Sequence, residues 1–424
     1  FYAYCVGERS SRMIERRCHT DVAFRVACAQ HAPDHTVIAR FRKDQETHFT
    51  SLFAQVLQLC AAAGMVKVGT IAVDGTKIEA NASIDANKTE ARLREMAKEI
   101  VADAAAVDEQ EDLDDPDDQT PPQLQSRATR QAAIAEALAS IENERRERPS
   151  SATKMTMRRV ERAEAKERRL TEESTAIYTA QQQVLAQGRR PAGRRAVHPD
   201  RNVNVLKARQ NLISARAALE RRNASEPVRK RNLTDPQSRL MKTRFGFRQA
   251  YNAQLAVSED HLILAAYVTD RGIDIGEYIP TVAAVEQTLS ELADAGHDRA
   301  VGTVLADAGY FSRENLAAAG PTRLIAPGKA KDVAASKKTA VTQPGKYDQT
   351  AIEEMQERIG TDEGTAHYRQ RAGIIEPVNA HLKDRRTLRR FARRGLAAAQ
   401  SELILAAAAT NFLRYVKVNN LATI

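Results

Sequence analysis

Two short apolar runs, each ending in aspartate and a glycine turn, constrain this chain more than any other feature. The first is Val68-Gly69-Thr70-Ile71-Ala72-Val73-Asp74-Gly75-Thr76-Lys77. Val68, Ile71 and Val73 are β-branched and apolar, as in a buried strand, and Gly75 turns the backbone behind the acid. The second, far downstream, is Ala300-Val301-Gly302-Thr303-Val304-Leu305-Ala306-Asp307-Ala308-Gly309-Tyr310. One strand-end acid is either solvated at the sheet edge or held for chemistry. Two copies demand more: if both strands are central in one sheet, both carboxylates emerge from the same edge. Carboxylates that close repel unless a cation sits between them, and hard oxygen ligands suit Mg²⁺.

At 424 residues, 42% of them hydrophobic, the chain is long enough for two or three domains with a real core. Its formal net charge of +9 favours a polyanionic partner. Basic residues cluster at Arg189–Arg195, Arg229–Arg231 and Lys383–Arg394, and each cluster reads either as a solvated face or as a nucleic-acid contact. The four cysteines, Cys5, Cys18, Cys28 and Cys60, have no CxxC spacing, which indicates neither a zinc site nor a disulfide framework. They read as reduced thiols of a cytosolic protein. The longest apolar run, Leu403–Ala409, is too short to span a bilayer, so no membrane partner is expected. The chain opens at Phe1 in what reads as mid-helix, as if it began inside an open reading frame.

Residues 1–65 read as a helical N-terminal domain. A short helix at Asp21–Gln30 is followed by a turn and a second helix, His35–Phe49, capped by Asp34 and carrying Arg40, Arg42 and Lys43. That pattern fits a helix-turn-helix entering a major groove or an ordinary helical hairpin. Phe49–Met65 follows, with Leu52, Val56, Leu59 and Ala63 on one face. The first segment of the sheet domain is expected at 66–86 and a helical insertion at 87–236. The insertion contains an acidic, Pro-containing break at Asp108–Pro122. It also carries two heptad runs, Ala163, Leu170, Ile177, Val184 and Val205, Leu212, Leu219, with Ala208 and Ala215 at the companion seam. These predict an antiparallel coiled-coil hairpin.

The sheet resumes within 237–400, with strands at Arg248–Val257 and His261–Thr269, a helix at Glu277–Ala295, the Asp307 strand, a helix at Ser312–Ala319 and a strand at Thr322–Ala326. Asp270 ends a strand too, but Arg271 beside it suggests a surface salt bridge. Pro327–Tyr347 reads as a mobile loop, and 401–424 as a C-terminal helix. This order is that of a mixed α/β sheet with helices on its faces. A third acid, Glu376, precedes Pro377, which suits a first helical turn and would put the carboxylate at a helix N-terminus. Lys383 then lies about two turns on, along the same face.

Taken together, Val73-Asp74-Gly75-Thr76-Lys77-Ile78 with Ala80-Asn81-Ala82-Ser83, Asn232-Leu233-Thr234-Asp235-Pro236, Tyr251-Asn252-Ala253-Gln254, Leu305-Ala306-Asp307-Ala308-Gly309-Tyr310 and Ile375-Glu376-Pro377-Val378 resemble the DDE transposases of bacterial insertion sequences. The likeness is greatest to the subgroup with a large helical insert after the first catalytic strand. The resemblance implies an RNase H-like core and an acid triad, Asp74, Asp307 and Glu376, holding two Mg²⁺ ions, with Mn²⁺ as a substitute. It also implies DNA contacts by Tyr368, Arg369 and Arg371 before the last acid and by Lys383 after it. Arg386, Arg389 and Arg390, with Arg40 and Arg42 from the N-terminal helices, are the further basic residues expected on DNA. The implied reaction is DNA strand cleavage and strand transfer at terminal inverted repeats on double-stranded DNA. The protein would act as a homodimer in the bacterial cytoplasm, associated with the nucleoid. The alternative is an inactive, transposase-derived DNA-binding protein. Many relatives carry Phe-Gly after Glu-Pro-Val, where this chain has Asn379-Ala380.

Overall fold

The computed structural model of the chain describes residues 1–106, 126–148, 150–224, 229–328 and 350–421. The break expected at Asp108–Pro122 and nearly all of the loop expected at Pro327–Tyr347 lie outside the described residues. The chain divides into two compact units. One comprises Phe1–Lys88, Glu111–Ala133 and Arg231–Ile424; the other comprises Thr89–Gln110 and Ile134–Lys230.

The first unit contains strands β1 (Thr70–Glu79), β2 (Arg239–Thr243), β3 (Gly246–Ser258), β4 (Ile263–Thr269), β5 (Thr303–Ala306) and β6 (Thr322–Ile325). The helices in chain order are α1 (Ser11–Thr20), α2 (Val22–Ala27), α3 (His35–Asp44), α4 (Glu46–Ala62), α5 (Glu90–Ala106), α6 (Arg127–Glu147), α7 (Ser151–Ala186), α8 (Val203–Ala224), α9 (Tyr278–Asp294), α10 (Thr350–Gly360), α11 (Asp362–Asp384) and α12 (Leu396–Val418). One-turn helices also occur at Tyr2–Cys5 and Arg313–Ala317.

β1 is central. It pairs antiparallel with β3 on one side and parallel with β5 on the other, and β6 extends the parallel side. Ile71, Ala72 and Val73 are fully buried, so the strand reads as a continuous apolar run rather than an alternation. β3 is long enough to hold two partners along its far edge: β2 pairs with Gly246–Ala250, and β4 begins at the Asn252↔Thr269 pair.

α12 is buried along most of its length and packs on α4 and β4. By length and composition it could cross a membrane, yet 72% of that window is buried within the protein. Its alanine run, Ala406–Ala409, brings the backbone close to β4. Two side-chain amides then occupy that strand's free edge. Asn411 Oδ1 accepts from Ile263 N and its Nδ2 donates to Ile263 O, both at 2.8 Å. Gln400 accepts from Val268 N at 2.7 Å and donates to Ala266 O at 3.1 Å. Buried strand-edge groups that lack a partner are costly, and these amides supply one. Glu402, also on α12, is buried and accepts from Arg9 Nη1 (2.9 Å), Ala392 N (3.0 Å) and Arg393 N (2.7 Å).

In the N-terminal helices, Asp34 caps α3 as expected, accepting from Thr36 N at 2.7 Å. α3 ends at Asp44 and a new helix starts at Glu46, earlier than the predicted Phe49. The buried face of α4 is Phe49, Phe53, Val56, Leu57, Cys60 and Ala61, while Leu59 is exposed. Val56 is buried and Leu52 packs partly on the core as expected, but Phe49 and Phe53 set the seam and leave Leu59 and Ala63 exposed.

In the second unit, α7 and α8 run antiparallel, joined by Glu164–Arg216 (2.7 Å), Glu167–Arg209 (3.1 Å) and Ser174–Asn202 (3.0 Å). Val205, Ala208 and Ala215 are buried at the seam, as their spacing predicts. Ile177 is exposed, contrary to its heptad position, because the polar Ser174–Asn202 bond occupies the seam one turn away.

Replacing Asn411 by Leu leaves two buried backbone groups of Ile263 unpaired. The expected loss is about 1–3 kcal/mol for each group, read as a lower urea midpoint of the full chain. An unchanged midpoint would contradict the edge-sealing role of α12.

Candidate active site

Val73 of β1 and Ala306 of β5 are register partners in a parallel ladder. The next residue on each strand is an aspartate, so Asp74 and Asp307 step off the ladder side by side. Asp74 remains within β1, opposite Leu255 of β3. Asp307 caps the turn Ala308–Tyr310, its Oδ1 accepting from Gly309 N at 2.8 Å. Tyr310 is fully buried and donates to Gln254 Oε1, which anchors that turn on β3.

A further carboxylate, which the motifs do not reveal, lies beside both motifs. Asp274 comes from the loop between β4 and α9. Its Oδ1 accepts from Asn252 Nδ2 (2.7 Å) and Gln254 Nε2 (2.8 Å), both on β3, and lies 3.4 Å from Lys77 Nζ on β1. The two motif glycines make room for it. A Cβ at Gly75 would overlap the Asp274 carboxylate, and one at Gly309 would lie 2.9 Å from Asp307 Oδ1 and 3.5 Å from Asp274 Oδ2. Gly309 lies in the turn expected from the sequence, whereas Gly75 does not turn the chain: β1 runs through it to Glu79, with Gly75 paired to Gln254, and both glycines admit a third acid. The signal for Asp274 was the polar pair Asn252 and Gln254 within the otherwise apolar stretch 250–257 of β3, since buried amides need partners. By contrast, Asp270 at the end of β4 bonds Arg239 at 2.7 Å, not its neighbour Arg271, which pairs with Glu277 at 3.3 Å.

α11 lies over this edge. The sequence suggested that Pro377 begins a helix; instead the helix begins at Asp362, with Thr361 Oγ1 accepting from Gly364 N at 2.9 Å, and Pro377 sits inside it. The carbonyl that loses its helical partner to a proline lies four residues back, at Gly373. There His261 Nε2 makes a 3.0 Å hydrogen bond to Gly373 O, so the defect is satisfied from outside the helix. Glu376 is therefore mid-helix and gains nothing from a helix N-terminus.

The face of α11 turned to the acids carries Tyr368, Arg371 and Asn379. Arg371 Nη1 lies 3.9 Å from Asp74 Oδ1, and Asn379 Nδ2 donates to Asp74 Oδ2 at 2.9 Å. Tyr368 is half-buried against the core, and burial first, then the nearby acids, raises its phenol pKa against the pull of Arg371. Glu376 and Arg369 are exposed. Glu376 sits about 60° around the helix from Asn379. Asp74 and Asp307 are thus brought together, while Glu376 stands on the flank. Among the described residues, the group of three acid or imidazole ligands whose atoms lie within 4.8 Å of one another is Glu15, Asp34 and His35 on the N-terminal helices. There Glu15 Oε2 already holds His35 through Nδ1 at 2.8 Å.

Burial pushes the Asp74 carboxyl up to about 6; Arg371 opposes this, and the like charges of Asp307 and Asp274 add to it. A mostly buried acid facing two others is what a cation would relieve. Buried oxygens without a partner, Asn379 Oδ1 and Asn252 Oδ1, adjoin Asp74 and Asp274. The donor set is entirely oxygen, so these residues fit a hard divalent cation.

Of the basic residues expected on DNA, two are structural. Arg42 is buried, with Nη1 donating to Arg9 O at 2.6 Å and Nη2 to Ser11 Oγ. Arg386 is buried, its Nη1 donating to the carbonyls of Tyr4 (2.9 Å) and Cys5. Both guanidiniums bridge chain segments distant in sequence, a role no charge count distinguishes from a surface one. Arg40, Arg389 and Arg390 are exposed, although Arg389 pairs with Asp384 and Arg390 reaches Asn81 Oδ1 at 3.2 Å. Lys383 is half-buried. Burial lowers its pKa, as do Arg244 and Arg389, while Asp74 opposes the shift.

Asp74 within β1 and Asp307 just after β5, beneath a helix bearing Arg371 and Asn379, make an acidic, oxygen-lined site. Comparison with known families gives two partial matches. Residues 330–416 match the model described as Transposase DDE domain, and residues 1–44 match Transposase domain (DUF772). These domains indicate a transposase and are consistent with a DDE transposase of an insertion sequence. DDE domains generally use divalent metal ions. The first match includes Tyr368, Arg371, Glu376 and Lys383; Asp74 and Asp307 lie outside both matches. No curated protein and no solved structure matches the chain.

Gly75→Ala is expected to force Asp274 and Gln254 aside, lowering stability by about 1–3 kcal/mol in a thermal unfolding experiment. Wild-type stability in that variant would show that Asp274 does not depend on the gap.

Proposed function

We propose that the chain catalyses Mg²⁺-dependent DNA strand cleavage and strand transfer at the ends of an insertion sequence, on an RNase H-like sheet. The observation that carries this reading is the emergence of Asp74 and Asp307 from adjacent parallel strands into one mostly buried site. The antiparallel β4-β3-β1 arrangement continued by parallel β5 and β6 supports the RNase H-like assignment.

Asp74, Asp307 and Glu376 would hold the metal, Glu376 from the flank of α11. When bound, Mg²⁺, or Mn²⁺ in its place, supplies Lewis-acid polarisation of the phosphate and an acidified nucleophilic oxygen, in a two-ion arrangement. The protein's own share is positioning and charge. Asn252, Gln254 and Lys77 fix Asp274, which crowds Asp74 and Asp307 and so favours cation capture. Arg371 and Asn379 hold the Asp74 carboxylate in one orientation. Lys383, Arg389 and Arg390, with Tyr368 and Arg369, line the approach for phosphates, and such contacts make binding salt-dependent. Arg40 is the exposed candidate on α3 for holding double-stranded DNA with terminal inverted repeats. Joining two ends calls for a homodimer on DNA, working in the bacterial cytoplasm at the nucleoid.

Asp74→Asn and Asp307→Asn should each lower Mg²⁺-dependent nicking of inverted-repeat DNA on the order of a thousandfold, with DNA binding by gel shift nearly unchanged. Cleavage retained in either variant would remove that aspartate from the chemistry. Glu376→Gln should match them, and a fully active variant would assign the third ligand elsewhere, with Asp274 the nearest carboxylate.

A further inference from the structure

The hairpin between β2 and β3 carries exposed aromatics that neither the core nor the acid site uses. Thr243 pairs with Gly246, leaving Arg244 and Phe245 as its tip. The tip is well fixed: Phe245 N donates to Thr243 Oγ1 at 3.1 Å, Thr243 Oγ1 donates to Gly246 O at 2.8 Å, and Gly246 takes φ +93°. Yet Phe245 is 63% exposed and Phe247 57% exposed. A rigid tip with two solvent-facing rings is a surface shaped for a partner.

Cations are interleaved with the rings. The Arg244 guanidinium lies over the Phe245 ring, 4.6 Å from its centroid. Lys242 is the cross-strand partner of Phe247, and exposed Leu240 shares that face of β2. From Leu240 to Gln249 the chain contains no carboxylate. Rings that can stack beside cations that can meet phosphates are the makings of a single-strand platform, whereas an apolar protein partner would leave these cations uncompensated.

The hairpin also stands at the acid site's end of the sheet. β1 and β3 continue together past the last residue of β5, as far as the Glu79↔Ala250 pair, and Arg248 Nε lies 3.5 Å from Glu79 Oε1. Lys383, at the end of α11, feels the charges of both Arg244 on the tip and Asp74 in the site, in opposite senses.

We propose that the Arg244–Phe247 tip is a base-stacking wedge for unpaired nucleotides of the DNA end bound at the acid site, with Phe245 and Phe247 against bases and Lys242 and Arg244 on the backbone. This inference rests on the DNA-processing reading of that site.

The test uses the full chain and a duplex with a short single-stranded tail containing 2-aminopurine. Its sequence is arbitrary, because stacking tolerates any base. Wild type should change the 2-aminopurine fluorescence and bind the tailed duplex. A Phe245→Ala/Phe247→Ala variant should lose the fluorescence change and bind the tail roughly ten- to a hundredfold more weakly, with an unaltered circular dichroism spectrum. Phe245→Tyr/Phe247→Tyr should restore the response, and Asp74→Asn should keep it. An alanine variant with the full response and affinity overturns the wedge while leaving the nuclease reading intact. So does an alanine variant whose only change is loss of self-association without DNA, which would make the tip a contact between copies. A wild-type chain that binds no tailed duplex overturns both.

Discussion

The parallel pairing of β1 with β5 is the constraint on which the site depends. Register in a parallel ladder is set by backbone hydrogen bonds and by the burial of both faces. Here Ile71, Ala72 and Val73 on one strand and Val304, Leu305 and Ala306 on the other are all fully buried. A slip of one residue would expose part of that run and would separate the two aspartates. Hydrophobic burial thus holds together two acids that would otherwise drive their strands apart.

Such a juxtaposition is tolerated because the surroundings compensate it. Gln254, Asn252 and Lys77 neutralise or hydrogen-bond Asp274. Arg371 and Asn379 do the same for Asp74. These donors come from β1, β3 and α11, so the position of the carboxylates is over-determined by elements distant in sequence. The same strategy recurs away from the site, where Arg386, Arg42 and Glu402 tie loops and helix ends to one another. Arg42 and Arg386, which count toward the net charge, are therefore engaged internally.

Local chemistry was legible in the sequence; rotation and partnership were not. The β-branched run before Asp74, the matching run before Asp307 and the cap at Asp34 all follow from short-range rules. Pro377 misled because its penalty is assessed against an isolated helix, whereas His261 satisfies the freed carbonyl of Gly373 from the sheet side. Which side of α11 faces the acids depended on where that helix starts, so Asn379 could not be foreseen as the partner of Asp74. Arg42 and Arg386 read as surface cations because nothing within their own helices reveals the carbonyls that receive them. Asp274 went unseen because it lies in a loop without a strand-end signature, and only the amides of Asn252 and Gln254 hinted at it.

Asp74 within β1 and Asp307 just after β5 are proposed to share one divalent-cation site. Iron-directed backbone cleavage tests it most directly: Fe²⁺ replaces the native ion, ascorbate and peroxide generate radicals locally, and the cut positions are read by mass spectrometry. Cuts clustered around residues 74, 274 and 307, suppressed by excess Mg²⁺, are the predicted result. Cuts confined to Glu15, Asp34 and His35, or none near β1 and β5, would contradict it.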